Sequence, residues 1–130
     1  MSYTKHKSKI AKPGNIKVLP LDWESDDGPA VLRSHGCRDN VDLILACDCV
    51  YNYALIDPFI QTCIDLASLR NDSRPTVCLV AQQLRQPDVL EQWLSSFSEH
   101  FSVWRIPDEA LEKGLRPDSG YVLHLGLLKG

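Results

Sequence analysis

Two stretches of the chain are apolar at nearly every position and then stop abruptly at polar residues: "VDLILACD", residues 41–48, and "TVCLVAQQ", residues 76–83. Continuous rather than alternating apolarity suits strands covered on both faces, as in a parallel sheet packed between helices. Between them Leu55, Ile56, Phe59, Ile60, Cys63, Ile64 and Ala67 recur at three- and four-residue steps, which predicts a helix over 55–69 with Asp57-Pro58 inside its first turn. "NDSRP" ends that helix. After the second apolar run, Val89, Leu90, Trp93, Leu94, Phe97 and Phe101 form the inner face of another helix that starts near Pro87. "FSVWRI" and "YVLHLGLL" predict two final strands, joined by the loop or short helix "PDEALEKGLRPDSG". Towards the N-terminus, Ile16, Val18 and Leu21 in "NIKVLPLDW" are spaced like a short strand closed by Pro20. The polar "ESDDGPAVLRSHGCRDN" that follows predicts a loop with at most a short helix at 29–34.

The order strand, strand, helix, strand, helix, strand, strand argues an α/β fold, with a helix-covered parallel sheet and an antiparallel pair at one edge. Residues 1–14 read as a basic flexible tail ending in the turn signal Pro13-Gly14, and residues 15–130 as one domain. A composition of 44% hydrophobic and 24% charged residues supports a packed fold rather than a disordered chain. The formal net charge of −3 argues against extensive nucleic-acid binding. Lys5, Lys7, Lys9, Lys12 and Lys17 nevertheless give the first 17 residues a basic, acid-free character, which leaves a weak contact with RNA or an acidic partner open beside the plainer reading of a solvated tail. The odd set Cys37, Cys47, Cys49, Cys63 and Cys78 lacks C-x-x-C spacing and sits mostly in apolar runs, so buried free thiols are expected and a metal site is not. No apolar run approaches the ~20 residues of a membrane span, and no apolar core follows the N-terminal lysines. A cytoplasmic location is the expectation, with the nucleus as a second.

In open α/β sheets ligands bind beyond the carboxyl ends of the strands. That rule selects Asp22 with Trp23, Asp48 with Tyr51, and Gln82 with Gln83, all at predicted strand exits. Each has a plainer alternative: Asp48 as a helix-capping acid, Tyr51 as a packed aromatic, and Trp23 as core. The four histidines suggest no nucleophilic triad, and the seven glycines form no phosphate-cradling loop.

"NIKVLPLDW", then "VDLILACDCVYNYALIDPFIQT", then "TVCLVAQQLRQPDVLEQWLSSFSEHFSVWRI" together resemble the seven-β-strand, S-adenosylmethionine-dependent protein lysine methyltransferases that carry a D-x-x-Y signature, and within them the fungal ribosomal type. The likeness runs over residues 15–129. It implies the C-terminal half of a Rossmann-like class I methyltransferase sheet. It further implies S-adenosylmethionine as cofactor and a protein substrate, ribosomal or otherwise linked to translation, that offers a lysine. On that resemblance Asp22 and Trp23 of "LDW" lie against the cofactor's adenine, and Ala46 and Cys47 line the strand end. Asp48 and Tyr51, the ends of Asp48-Cys49-Val50-Tyr51, then border cofactor and lysine as the catalytic pair. The chemistry is compatible: with a solution pKa of about 10.4, lysine must be neutral before it attacks a sulfonium methyl. A carboxylate can attract the side chain, and an aromatic face can align it. Relatives acting on bases or glutamine commonly have N/D-P-P-Y here. Cys49 and Val50 replace both prolines, which favours lysine.

The family's Gly-rich loop and the acid after its second strand have no counterpart before Asn15. The first two strands of the sheet are therefore expected to be missing, leaving "NIKVLP" without a partner and "VDLILACD" as an exposed apolar edge. Three readings follow: an N-terminally truncated lysine methyltransferase, a non-catalytic interaction module or inactive remnant, and a nucleic-acid-binding α/β domain using the basic tail.

Overall fold

The two apolar runs form neighbouring parallel strands, β1 (Leu43–Cys47) and β2 (Val77–Gln83), in register from Leu43 against Val77 to Cys47 against Ala81. The computed structural model describes residues 16–37, 40–70, 72–115 and 120–130; the predicted tail lies outside them. The sheet has four strands in the order β1-β2-β4-β3, with β4 (Tyr121–Leu128) antiparallel to both β2 and β3 (Phe101–Arg105). The fold is thus α/β with a mixed sheet containing one parallel pair and, at the opposite edge, the expected antiparallel pair.

A short helix, α1 (Gly28–Ser34), opens on the Asp27 carboxylate, which accepts from the Ala30 N–H at 3.3 Å, with Pro29 in the first turn. Helix α2 (Ile56–Ala67) follows a 3-10 turn at Tyr53–Leu55, so it begins one residue later than the periodicity suggested and ends two earlier. Helix α3 (Pro87–His100) hands directly over to β3, making Phe101 the first residue of a strand instead of the last of a helix face. Helices α2 and α3 pack on one face of the sheet. There Ala46, Cys78 and Val80 meet Ile56, Phe59, Ile60, Cys63, Trp93, Phe97 and Phe101. Trp93 and Phe97 are completely buried, and the rings stack along α3 into β3: Trp93 to Phe97 at 4.8 Å, then Phe97 to Phe101 at 4.2 Å. Gly126 lies under this stack; a Cβ there would stand 2.6 Å from the Phe97 ring.

Two expectations about the strands fail. Helices cover one face of the sheet only, so Leu43 and Leu45 stand exposed although the unbroken apolar run predicts a strand buried on both faces. Residues 16–20 are not a strand, although the spacing of Ile16, Val18 and Leu21 reads as one. Period-2 apolarity makes a strand only where a neighbour completes its hydrogen bonds. Val18 is 68% exposed, and the stretch is tied to the fold through Lys17 Nζ, which donates to the His35 carbonyl at 3.0 Å.

The other face of the sheet carries Leu43, Leu45, Cys47, Leu79, Leu125 and Trp104 by strand alternation. Leu43 and Leu45 are 47% and 68% exposed, and among the described residues nothing pairs with the outer side of β1. The exposed apolar edge anticipated for "VDLILACD" is present.

Candidate functional site

Asp48 directly follows β1 and has a positive φ of 52°. Asp tolerates this left-handed conformation better than most residues because its short polar side chain bonds locally. Its N–H still reaches the Ala81 carbonyl at 2.7 Å, so the last ladder bond is kept while the chain turns away from the sheet. The turn delivers the carboxylate to β2. Arg85 Nη2 donates to Asp48 Oδ2 at 2.6 Å, and the Gln83 N–H approaches Oδ1 at 3.5 Å. Arg85 Nη1 donates to Gln83 Oε1 at 2.9 Å, so the guanidinium bridges the two strand exits. Arg85 is more than half exposed, and such an ion pair adds little to stability. Its effect is local: it fixes the carboxylate and sets a second charge at the site. Sequence reasoning missed Arg85. The available signal was a cation two residues beyond the end of β2, in "QQLRQP".

Between the two exits lies a small cleft lined by Asp48, Val50, Tyr51, Gln82, Arg85 and Leu90, among others, with about 10 Å³ of free space, enough for one water-sized group. The structure therefore brings Asp48, Tyr51, Gln82 and Gln83 to one place. Tyr51 is 54% exposed, so it is not the packed core aromatic of the plainer reading and its ring is open to a ligand. Gln82 is almost fully buried, and its Oε1 has no hydrogen-bond partner among the described residues. An unpaired buried amide acceptor costs about 1–3 kcal/mol.

The residues assigned to the cofactor are distributed differently. Trp23 packs on Phe59 with ring centroids 5.2 Å apart and borders a separate open groove of about 590 Å³ with Glu24, Ala54, Asp57, Pro58 and Gln61. Asp22 is exposed and organises a turn: its Oδ1 accepts from the Glu24 N–H at 2.9 Å, and its own N–H donates to Asp26 Oδ2 at 2.8 Å. The Glu24 N–H, helped by Ser25, pulls the Asp22 carboxyl below its ordinary pKa. Ala46 turns its side chain into the core, so at the strand end it can offer only backbone, whereas Cys47 is exposed on the uncovered face.

Cys63 and Cys78 are buried side by side. The Cys63 thiol, hydrogen-bonded to Cys78 and desolvated, is raised far above its ordinary pKa, which marks an inert thiol. Burial also raises Cys49. His124 sits on β4 as expected, 5.8 Å from Trp93 by ring centroids; burial first, then Arg105, lowers its pKa and favours the neutral imidazole. No cluster of three metal-binding side chains occurs among the described residues, and no described helix is long and apolar enough to cross a membrane.

A profile of the lysine methyltransferase family matches residues 4–100, which span α1, β1, α2, β2 and α3 and therefore the whole cleft. The chain belongs to the lysine methyltransferase family. Among curated relatives, ribosomal lysine N-methyltransferase 5 of Zygosaccharomyces rouxii is 32% identical over 105 residues, covering 75% of this chain and 33% of that protein. The protein of the same name from Kluyveromyces lactis is 35% identical over 105 residues, with the same two coverages. A Schizosaccharomyces pombe protein named diaminohydroxyphosphoribosylamino-pyrimidine deaminase is 32% identical over 99 residues, 76% of this chain and 23% of its own length. The chain spans about one third of the length of the ribosomal methyltransferases it matches. Family membership implies a Rossmann-like sheet and the use of S-adenosylmethionine.

Proposed function

We propose that this chain carries the lysine-facing part of an S-adenosylmethionine-dependent protein-lysine N-methyltransferase acting on a ribosomal or other translation-related protein, with its four strands belonging to a larger Rossmann-like sheet. The observation that carries the reading is the cleft at the exits of β1 and β2, where Asp48 and Tyr51 of the D-x-x-Y tetrad meet Arg85 and Gln82 in a chain of this family.

The residues present fit the cofactor at its flat end. The Trp23 ring with Ala54 and Pro58 offers an aromatic and apolar surface for a base, and the carboxylates of Glu24 and Asp57 line the same groove for amino or hydroxyl groups. Bound there, the cofactor would supply an electrophilic methyl group on a positively charged sulfur.

The remaining work belongs to the chain. Tyr51 offers an aromatic face along which the aliphatic stem and charged head of a lysine can lie. Asp48 Oδ1, which among the described residues has a long contact to the Gln83 N–H alone, can accept from the amine, while Oδ2 is held by Arg85. The guanidinium also acts on the substrate: paired to Asp48, it offsets the pull of that carboxylate towards the charged ammonium, while the amine must be neutral to attack. Holding the amine in line is then most of the catalysis required.

Incubating the chain with methyl-tritiated S-adenosylmethionine and ribosomal proteins tests the reading. Label on lysine that disappears with Asp48→Asn supports it. No transfer to any ribosomal fraction, together with no cofactor binding in calorimetry, would leave the second reading, an interaction module without catalysis.

A further inference from the structure

Gln82 is the penultimate residue of β2 and lies on the sheet face covered by the helices. It is 3% exposed, it lines the cleft beside Asp48 and Tyr51, and its amide oxygen has no partner among the described residues. A buried acceptor without a donor is rarely left in a native protein unless something else completes it. The free space it borders is the size of one water or one amine head.

We propose that Gln82 is a specificity-determining residue of the cleft, whose carboxamide oxygen accepts a hydrogen bond from the substrate's primary amine. The inference rests on the reading of the cleft as a lysine site. A neutral primary amine has two N–H bonds and one lone pair. Asp48 Oδ1 and Gln82 Oε1 supply two acceptors from the ends of two adjacent parallel strands, leaving the lone pair free to attack. Each methyl group added to the nitrogen removes one N–H and leaves one of these acceptors unpaired, and a buried polar group left unpaired is how a site rejects an analogue. Gln82 therefore favours the unmethylated amine over its methylated products. Trp93 Nε1 and His124 Nδ1 are also buried without partners among the described residues, on the same side of the sheet, so an internal water shared with Gln82 is the competing explanation.

The test is nuclear magnetic resonance on the nitrogen-15-labelled chain, following the Gln82 side-chain amide and the Trp93 indole N–H. The probes are N-acetyl-lysine-methylamide, its ε-trimethylated form and the norleucine counterpart. The Gln82 amide should shift with the lysine probe alone, and Gln82→Met, an apolar replacement of similar volume, should weaken that binding at least about tenfold while leaving the unfolding midpoint unchanged or higher. Equal shifts with norleucine would overturn the proposal. So would unchanged lysine binding by Gln82→Met, and so would a Trp93 indole response to that substitution with no response to the lysine probe, which would assign Gln82 to an internal water. If Gln82 binds the amine but no methyl group is ever transferred, the enzymatic reading falls and this one stands; if transfer proceeds equally well in Gln82→Met, the reverse holds.

Discussion

Replacing Gly126 by alanine should destabilise the protein, against the usual sign of that substitution in a strand. Glycine to alanine ordinarily stabilises by about 0.4–1 kcal/mol, because the unfolded chain has less freedom to lose. At Gly126 the added Cβ would lie 2.6 Å from Phe97 Cε2 and 2.9 Å from Cζ. Carbon contacts are optimal at about 3.5–4.0 Å, so the ring must retreat by roughly 1 Å. It has nowhere to go: Phe97 is fully buried, with Trp93 stacked 4.8 Å away and Phe101 4.2 Å away. Overpacking of this kind costs about 1–3 kcal/mol, for a net loss of about 1–2 kcal/mol. With a urea slope of about 2 kcal/mol per molar, the midpoint should fall by about 0.5–1 M. Urea unfolding followed by tryptophan fluorescence measures it, and the Phe97→Leu background supplies the control. There the same alanine should cost far less, because the two positions couple through direct contact. A Gly126→Ala midpoint at or above that of the parent, with the slope unchanged, would refute the packing account.

Asp48→Asn keeps a residue that tolerates the left-handed backbone yet removes the charge, so methyl transfer should drop at least about a hundredfold while the fold persists; Cys63→Ala should lower stability but not abolish transfer, and equal loss from both would point to folding. Trp23→Ala should weaken S-adenosylmethionine binding by one to a few kcal/mol in calorimetry, the range for losing an aromatic surface; unchanged affinity would remove Trp23 from the cofactor site. Because the folded protein lowers the His124 pKa below 6.5, the unfolded chain binds more protons beneath that pH, so stability should decline as pH falls through about 6.5 towards the lower folded value. His124→Gln should flatten that part of the profile in urea titrations from pH 8 to 5. Leu45→Lys, at a position 68% exposed on the sheet edge, should reduce concentration-dependent association in light scattering; no change would show that the β1 edge is not what associates.

Strands β1 and β2 and helices α2 and α3 were legible because their apolar patterns are long and their burial is decided locally. The stretch at Ile16 and Val18 was not, since its pattern is that of a strand but a strand exists only with a neighbour. At the site, the rule that ligands gather beyond strand exits brought out Asp48, Tyr51 and Gln82, which share one cleft. It could not foresee that Arg85 would clasp the Asp48 carboxylate, because that contact joins residues 37 apart and depends on the register of β1 against β2. Nor could it foresee that Trp23 would face a different groove from Asp48, because the position of Trp23 is set by its packing on Phe59.

The edge of β1 that no described residue pairs ends at Cys47, and the next residue is Asp48. Any chain that hydrogen-bonds to that edge would extend the sheet and, in the same act, raise a wall alongside the cleft. Sheet completion and ligand affinity are then thermodynamically linked: a ligand touching both sides tightens the pairing by the factor by which the pairing tightens the ligand.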